Sequence, residues 1–277
     1  MEEQLEVMIN PEKYDMLLHW FERLQNAVVA FSGGVDSTFV LATAHQVLGE
    51  KVLAITVKTP YIPDWEVDEA IAYCKKNGVR HQVLHAGILP EILNNPENRC
   101  YLCKKYVFSL LNAEARKNGF NVVLDGTNFD DSGVYRPGLA ALRELEIRSP
   151  LLENGITKKE VREFSRKLGL PTADKPSYAC LLTRLPYNYQ VNKDELIRIE
   201  KAERYLASKG YGTSRVRNHG TIARIELQKE RITEFMNSPF MREMIEYLHM
   251  LGYEYITVDL EGYRSGSFDT NFTQTKV

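Results

Sequence analysis

The chain has 277 residues, 44% hydrophobic and 26% charged, with 35 Lys and Arg against 37 Asp and Glu. This is the composition of an ordinary globular protein of about two domains; it excludes collagen-like, low-complexity and wholly disordered chains, and no apolar run approaches the roughly 20 residues of a membrane helix. A net charge of −2 argues against a generic nucleic-acid binder, which is basic overall.

The first half alternates helix and strand. Met16, Leu17, Trp20, Phe21 and Leu24 recur at helical spacing, and the short apolar run Ala27–Phe31 reads as a buried strand. A helix from Ser37 to Leu48 follows, with Gly49 as its stop. Val52–Val57 is a second strand, Asp64–Asn77 a second helix, and Val79–Leu84 a third strand. Arg99–Lys117 is helical and ends at Gly119, and Phe120–Leu124 is a fourth strand. Such alternation predicts an α/β fold, a Rossmann-like parallel sheet with helices on both faces. Thr157–Leu168 opens as T-x-x-E, the pattern of a capping box.

Pro171 and Pro176 flank a polar stretch, which places a boundary between a first domain, 1–175, and a second, 176–277. The second reads as a small α+β domain. It holds a helix over Lys193–Ser208, a strand pair at Ser214–Asn218 and Thr221–Leu227 turning at His219-Gly220, helix over 228–250 broken at Pro239, and a last strand at Tyr253–Val258. Residues 1–50 carry 2 basic against 8 acidic side chains, and residues 182–231 carry 11 against 6. The later segment suits an anionic ligand; the plainer alternative is a solvated helix face. The acidic N-terminus, MEEQLEVMINPEK, lacks the apolar core of a signal peptide, so a cytoplasmic protein is expected.

The sharpest local signal is Ser32-Gly33-Gly34-Val35-Asp36-Ser37, between a buried strand and a helix. Glycines allow positive φ and close backbone approach, and amides at a helix N-terminus form an anion site. No G-x-x-x-x-G-K-[ST] occurs, so this is not a Walker A loop. A loop without its own lysine suits holding the pyrophosphate of ATP while chemistry occurs at the α-phosphate, with Asp36 as a candidate Mg²⁺ ligand. The alternative is a tight turn without a ligand.

Four cysteines, Cys74, Cys100, Cys103 and Cys180, invite a disulfide reading that a reduced compartment disfavours. Cys100-Tyr101-Leu102-Cys103 with Cys180 suits three irons of a 4Fe-4S cluster with the fourth left open. Zinc, a redox pair and inert core thiols are the alternatives. Cys74 reads as a buried small hydrophobe. Arg184, four residues after Cys180, would favour a thiolate there; the alternative is a loop cysteine beside a surface arginine. Arg215 and Arg217 share one face of a predicted strand and are expected to contact phosphate or carboxylate through their forked donors; surface charge on an edge strand is the alternative. Arg136 and Arg184 are weaker candidates of the same kind. Asp130 and Asp131 bind metal or cap a turn, the commoner role, and His81 and His85 read as surface histidines.

The Ser32–Ser37 motif after a hydrophobic strand resembles the PP-loop ATP pyrophosphatases, which include GMP, NAD and argininosuccinate synthetases and tRNA-thiolating enzymes. The resemblance implies cleavage of ATP to AMP and pyrophosphate through an adenylated intermediate. It also implies Val57 and Lys58 near the adenine, and Gly126 and Thr127 near the ribose or phosphates. Asp125-Gly126-Thr127-Asn128-Phe129-Asp130-Asp131, Tyr135-Arg136-Pro137-Gly138, Ser149-Pro150-Leu151, Ala179-Cys180-Leu181, Ser214–Gly220 and Ala223-Arg224-Ile225-Glu226 follow in order. Together they resemble the LarE family, ATP-dependent sulfur transferases of nickel-pincer nucleotide synthesis. In that family a pyridinium biscarboxylate mononucleotide is adenylated and its carboxylates become thiocarboxylates. Some members sacrifice the sulfur of one cysteine, which matches Cys180; others bind a 4Fe-4S cluster through three cysteines and transfer a non-core sulfide, and this chain has the three-cysteine pattern. The resemblance further implies a homo-oligomer. The partners it implies are the nucleotide substrate, a sulfide donor, and the upstream and downstream enzymes of pincer synthesis. The nearest rival is a PP-loop tRNA thiolase with a three-cysteine cluster, although no RNA-binding module is visible. A rival of another class is a non-catalytic nucleotide-binding or iron-sulfur scaffold.

Overall fold

The computed structural model describes residues 11–133 and 137–264. The chain forms two compact units. One comprises the residues up to Thr59, Asp64–Gly87 and Cys100–Tyr178; the other comprises Pro60–Pro63, Ile88–Arg99 and the residues from Ala179 on.

In the first unit α1 (Pro11–Glu22) leads to β1 (Ala27–Ala30), α2 (Val35–Leu48), β2 (Val52–Lys58), α3 (Asp64–Lys76) and β3 (Arg80–His85). Then come α4 (Arg99–Lys117, of which Arg99 belongs to the second unit), β4 (Val123–Leu124), α5 (Pro137–Glu144), α6 (Pro150–Glu153) and α7 (Lys158–Lys167). The four strands are parallel in the order β3-β2-β1-β4. Alternation along each strand splits the core in two. Ala27, Val29, Val52 and Ala54 pack with α1, α2, α3 and α7, whereas Val28, Leu53 and Ile55 pack with Phe108, Leu111 and Ala115 of α4. The sheet is thus covered on both faces, as its sequence alternation predicts.

Three differences from the sequence reading have local causes. β4 spans two residues because the Phe120 amide closes the end of α4 on the Ala115 carbonyl (2.9 Å), with Gly119 at φ +77, and Asn121 is capped by the Asn26 side chain (3.2 Å). α5 and α6 are short helices that each open on a proline, a residue suited to the first helical position. His81 is half-buried rather than on the surface: its Nε2 lies 2.8 Å from the Thr56 hydroxyl, which itself donates to the Phe31 carbonyl (2.7 Å). Burial holds its pKa below the ordinary imidazole value.

The second unit contains α8 (Lys193–Ser208), β5 (Arg215–His219), β6 (Ile222–Glu226), α9 (Ile232–Met236), α10 (Met241–Met250) and β7 (Tyr255–Val258). β5 and β6 form an antiparallel hairpin whose two-residue loop starts at Gly220, φ +68, as such tight hairpins require; β7 pairs parallel to β6. Leu206 of α8 and Leu248 of α10 cover Val216, Ala223 and Ile225. Among the described residues no helix is long and apolar enough to cross a membrane.

Candidate active site

β1 lies between β2 and β4, so the sheet order reverses at its carboxyl end, the place where open parallel sheets bind ligands. The Ser32–Ser37 loop emerges there. Gly33 adopts φ +71, which a side chain would disfavour. The loop braces itself: the Ser37 hydroxyl donates to the Gly34 carbonyl (3.2 Å), and the Ser32 and Ser37 hydroxyls are 3.0 Å apart. Gly34 caps α2 and supplies no side-chain acceptor. The first-turn amides of a 14-residue helix are therefore presented to an anion, as triphosphate binding requires.

The segment after β4 forms the opposite wall. A Cβ on Gly126 would stand 2.9 Å from the Ser37 amide nitrogen, so only glycine permits this approach. Asp125 is buried and accepts hydrogen bonds from the Thr127 and Ser149 hydroxyls, the latter at 2.6 Å. Asp36 accepts from the Asn128 amide (3.3 Å) and pairs with Lys158 at the start of α7. The Asp131 carboxylate accepts the Asn128 amide N–H (3.1 Å), and Asp130 accepts the Lys158 amide (2.8 Å), so both acidic residues brace turns.

Two lysines absent from the sequence reading approach the phosphate loop. Lys158 meets Asp36, and Lys175 donates to the Gly33 carbonyl (3.0 Å) and to Glu69 (2.7 Å) while lying over the Trp65 ring. They bring the positive charge that the loop's own sequence lacks. The capping-box helix that carries Lys158 was legible, but the chain distance of 122 residues to Asp36 hid its partner. Val57 is buried at the end of β2, and Lys58 beside it pairs with Asp64 (2.5 Å).

In the second unit Cys180 precedes a 3-10 turn, Leu181–Arg184, and is half-buried. Arg184 is 1% exposed and forms a forked pair with Glu203 (2.9 and 2.9 Å); it also donates to the Ala179 carbonyl (2.7 Å) and more weakly to that of Cys180 (3.4 Å). Its charge is met by Glu203, and its contacts with the Ala179 and Cys180 carbonyls brace the loop. Arg217 forks onto Glu226 (2.9 and 2.7 Å) and donates to the Thr183 carbonyl (2.5 Å). Arg215 is also buried, donating to the Ser214 carbonyl (2.8 Å). These arginines are interior groups, unlike the surface charge of an edge strand. Glu203 went unread, and Glu226 was read only within a family motif, because isolated glutamates in a helix and a strand look like solvent-facing charge. Arg136 lies outside the described residues.

Cys100 is exposed and Cys103 half-buried on the first turn of α4, where i, i+3 spacing puts them on one helix face. Thiols so disposed suit iron ligation; Cys180, in the second unit, is half-buried. No group of three or more His, Cys, Asp or Glu stands in metal-binding geometry among the described residues. Cys74 is buried, and desolvation pushes its thiol up to about 12, the behaviour of an inert core residue.

A family model described as Queuosine biosynthesis protein QueC matches residues 26–97, from β1 past β3. The chain is 40% identical to an uncharacterised protein of Synechocystis over 95% of this chain and 98% of that one. It is 38% identical to the pyridinium-3,5-bisthiocarboxylic acid mononucleotide synthase of Lactiplantibacillus plantarum, over 92% of each chain. The chain belongs to the LarE family. LarE-family membership makes it a PP-loop, ATP-dependent sulfur transferase. The wider PP-loop relationship shows in a 28% match to the argininosuccinate synthase of Pyrococcus furiosus, over 53% of this chain and 40% of that one.

Proposed function

We propose that this protein uses ATP to convert pyridinium-3,5-biscarboxylic acid mononucleotide into its bisthiocarboxylate, the sulfur-transfer step of nickel-pincer cofactor synthesis. The carrying observation is the match to the L. plantarum synthase along nearly the whole of both chains. The N-terminus of α2, which no side chain caps, with Lys158 and Lys175 beside it, supports the ATP half of the reaction.

A carboxylate resists attack by sulfur because oxide is a poor leaving group. A carboxylate oxygen of the substrate attacks the α-phosphorus of ATP, and the bond to the β-phosphate oxygen breaks. Pyrophosphate leaves with the electron pair, held by the amides of α2 and the nearby lysines. Sulfur then attacks the acyl carbon and AMP departs, leaving a carbon–sulfur bond. Two rounds give the bisthiocarboxylate, on one chain where sulfide is replenished and on two chains where each gives up the sulfur of its own Cys180. Cys180 is the residue proposed to present sulfur, with its loop shaped by Arg184. A 4Fe-4S cluster held by Cys100, Cys103 and Cys180 would supply a transferable sulfide; in its absence the Cys180 thiolate displaces AMP to give a thioester, and loss of the Cys180 Cα proton breaks the Cβ–Sγ bond, releasing the thiocarboxylate and leaving dehydroalanine at position 180. Mg²⁺ at Asp36 would require that carboxylate to exchange Lys158 for the metal. ATP contacts at Ser32–Ser37, Val57, Lys58, Gly126 and Thr127, substrate contacts at Arg136, Arg184, Arg215 and Arg217, a cytoplasmic location and a homo-oligomeric state belong to the same proposal.

The test is release of AMP and pyrophosphate by the purified protein. The proposal expects turnover that depends on the mononucleotide and is not elicited by tRNA. Turnover stimulated by tRNA and indifferent to the mononucleotide would replace this reading with tRNA thiolation.

A further inference from the structure

Arg99, Arg184, Arg215 and Arg217 are buried arginines of the second unit. Arg184 and Arg217 are neutralised by Glu203 and Glu226, and Arg215 donates to backbone carbonyls. Arg99 is different. It is 6% exposed, and its Nε and Nη1 are occluded without a hydrogen-bond partner among the described residues. Its guanidinium stacks on the Tyr187 ring, 4.1 Å from the centroid. It is also the first residue of a 19-residue helix, the end where the helix dipole repels a cation, and that first turn contains no acidic side chain. A desolvated cation at the positive end of a helix is unfavourable without a counter-charge, and one aromatic face offsets only part of that penalty.

The segment before Arg99 is hydrogen-bonded to the loop that follows Cys180. The Asn95 amide donates to the carbonyls of Leu182 (3.2 Å), Leu185 (3.2 Å) and Pro186 (2.8 Å). Asn188 and Val191 donate back to the carbonyls of Asn95 (3.2 Å) and Leu93 (2.7 Å). The segment ending in Arg99 and the loop running from Cys180 to Val191 are therefore one body within the second unit, and Tyr187 belongs to that loop.

We propose that Arg99, stacked on Tyr187, is the counter-ion for an oxyanion of the mononucleotide substrate, either its phosphate or the carboxylate awaiting its turn. This rests on the function proposed above. It accounts for a buried cation without an anion on the loop that carries Cys180, in a unit whose other buried arginines already have acceptors. The substrate, a phosphate with two carboxylates, brings the missing negative charge.

Calorimetric titration of the full-length protein with the mononucleotide, without ATP, tests this in wild type, Arg99→Gln and Arg99→Lys. Arg99→Gln weakens binding by about tenfold or more, the worth of a charge-assisted hydrogen bond. Arg99→Lys recovers part of it, and ATP affinity is unchanged in both. The dephosphorylated nucleoside separates the two sources of oxyanion: wild type and Arg99→Gln bind it equally if the group is the phosphate, and Arg99→Gln is weaker if it is a carboxylate. Equal mononucleotide affinity in wild type and Arg99→Gln would overturn the proposal. Hydrogen exchange on the wild type gives an answer independent of variant folding: the mononucleotide must slow exchange in residues 93–99 and 182–187, and unchanged exchange there overturns it. Should wild type thiolate the mononucleotide while Arg99→Gln binds it normally, this inference fails alone. Should wild type neither bind nor convert it, the proposed function fails with it.

Discussion

Lys158 and Asp36 neutralise one another beside the phosphate loop. An arriving triphosphate competes for that lysine, and the pyrophosphate that departs needs its charge most. Lys158→Met is therefore expected to lower the rate of mononucleotide-dependent pyrophosphate release by about a hundredfold, the usual loss when a preorganised electrostatic group is removed. Release at the wild-type rate would make the lysine a structural partner only. The Arg217–Glu226 pair behaves differently, because both members are buried. Removing one leaves an uncompensated charge, so Glu226→Ala is expected to destabilise the fold by about 3–5 kcal/mol in chemical denaturation. His81 provides a pH signature. Its folded pKa is depressed by burial, so below about 6.5 the unfolded chain binds a proton that the folded chain refuses, and stability falls as pH falls. His81→Gln should flatten that part of the stability profile between pH 7 and 5, and an unchanged slope would assign the effect to other groups.

Among the elements, long periodic segments were legible. α2, α4 and α8, and the strands that alternate with them, arise where apolar spacing and end signals agree. The T-x-x-E pattern gave the start of α7 correctly: Thr157 accepts from the Glu160 amide while Glu160 accepts from that of Thr157. Thr157→Ala is expected to cost about 1 kcal/mol, read as a melting temperature lowered by roughly 2–4 °C. The short helices α5 and α6 were missed because fewer than three turns give little periodicity to read. The site was legible only where it is local. Ser32–Ser37 announces itself through glycines between a strand and a helix, but the lysines that serve it come from 122 and 142 residues away. The glutamates that bind Arg184 and Arg217 are likewise visible only once β5, β6 and α8 are assembled. Gly126→Ala tests the closeness of the two walls: its Cβ would press on the Ser37 amide, so ATP affinity should fall while the first unit still folds. Unchanged ATP affinity would show that the loop yields.

For the molecule as a whole, the relationship to the L. plantarum synthase runs through both units. The proposed function makes Cys100, Cys103 and Cys180 the residues that decide how the sulfur is renewed. Protein purified without oxygen should carry iron and acid-labile sulfide that Cys103→Ala loses; without iron, Cys180 should lose its sulfur once per chain, visible in its peptide mass. The most direct test of the central claim is mass spectrometry of the mononucleotide after incubation with the purified protein, ATP and Mg²⁺. The expected result is an ATP-dependent product in which sulfur has replaced carboxylate oxygen, formed with AMP and pyrophosphate and lost in Cys180→Ala. A mononucleotide recovered unchanged while ATP is cleaved, or a thiolated product formed without ATP, would contradict the account.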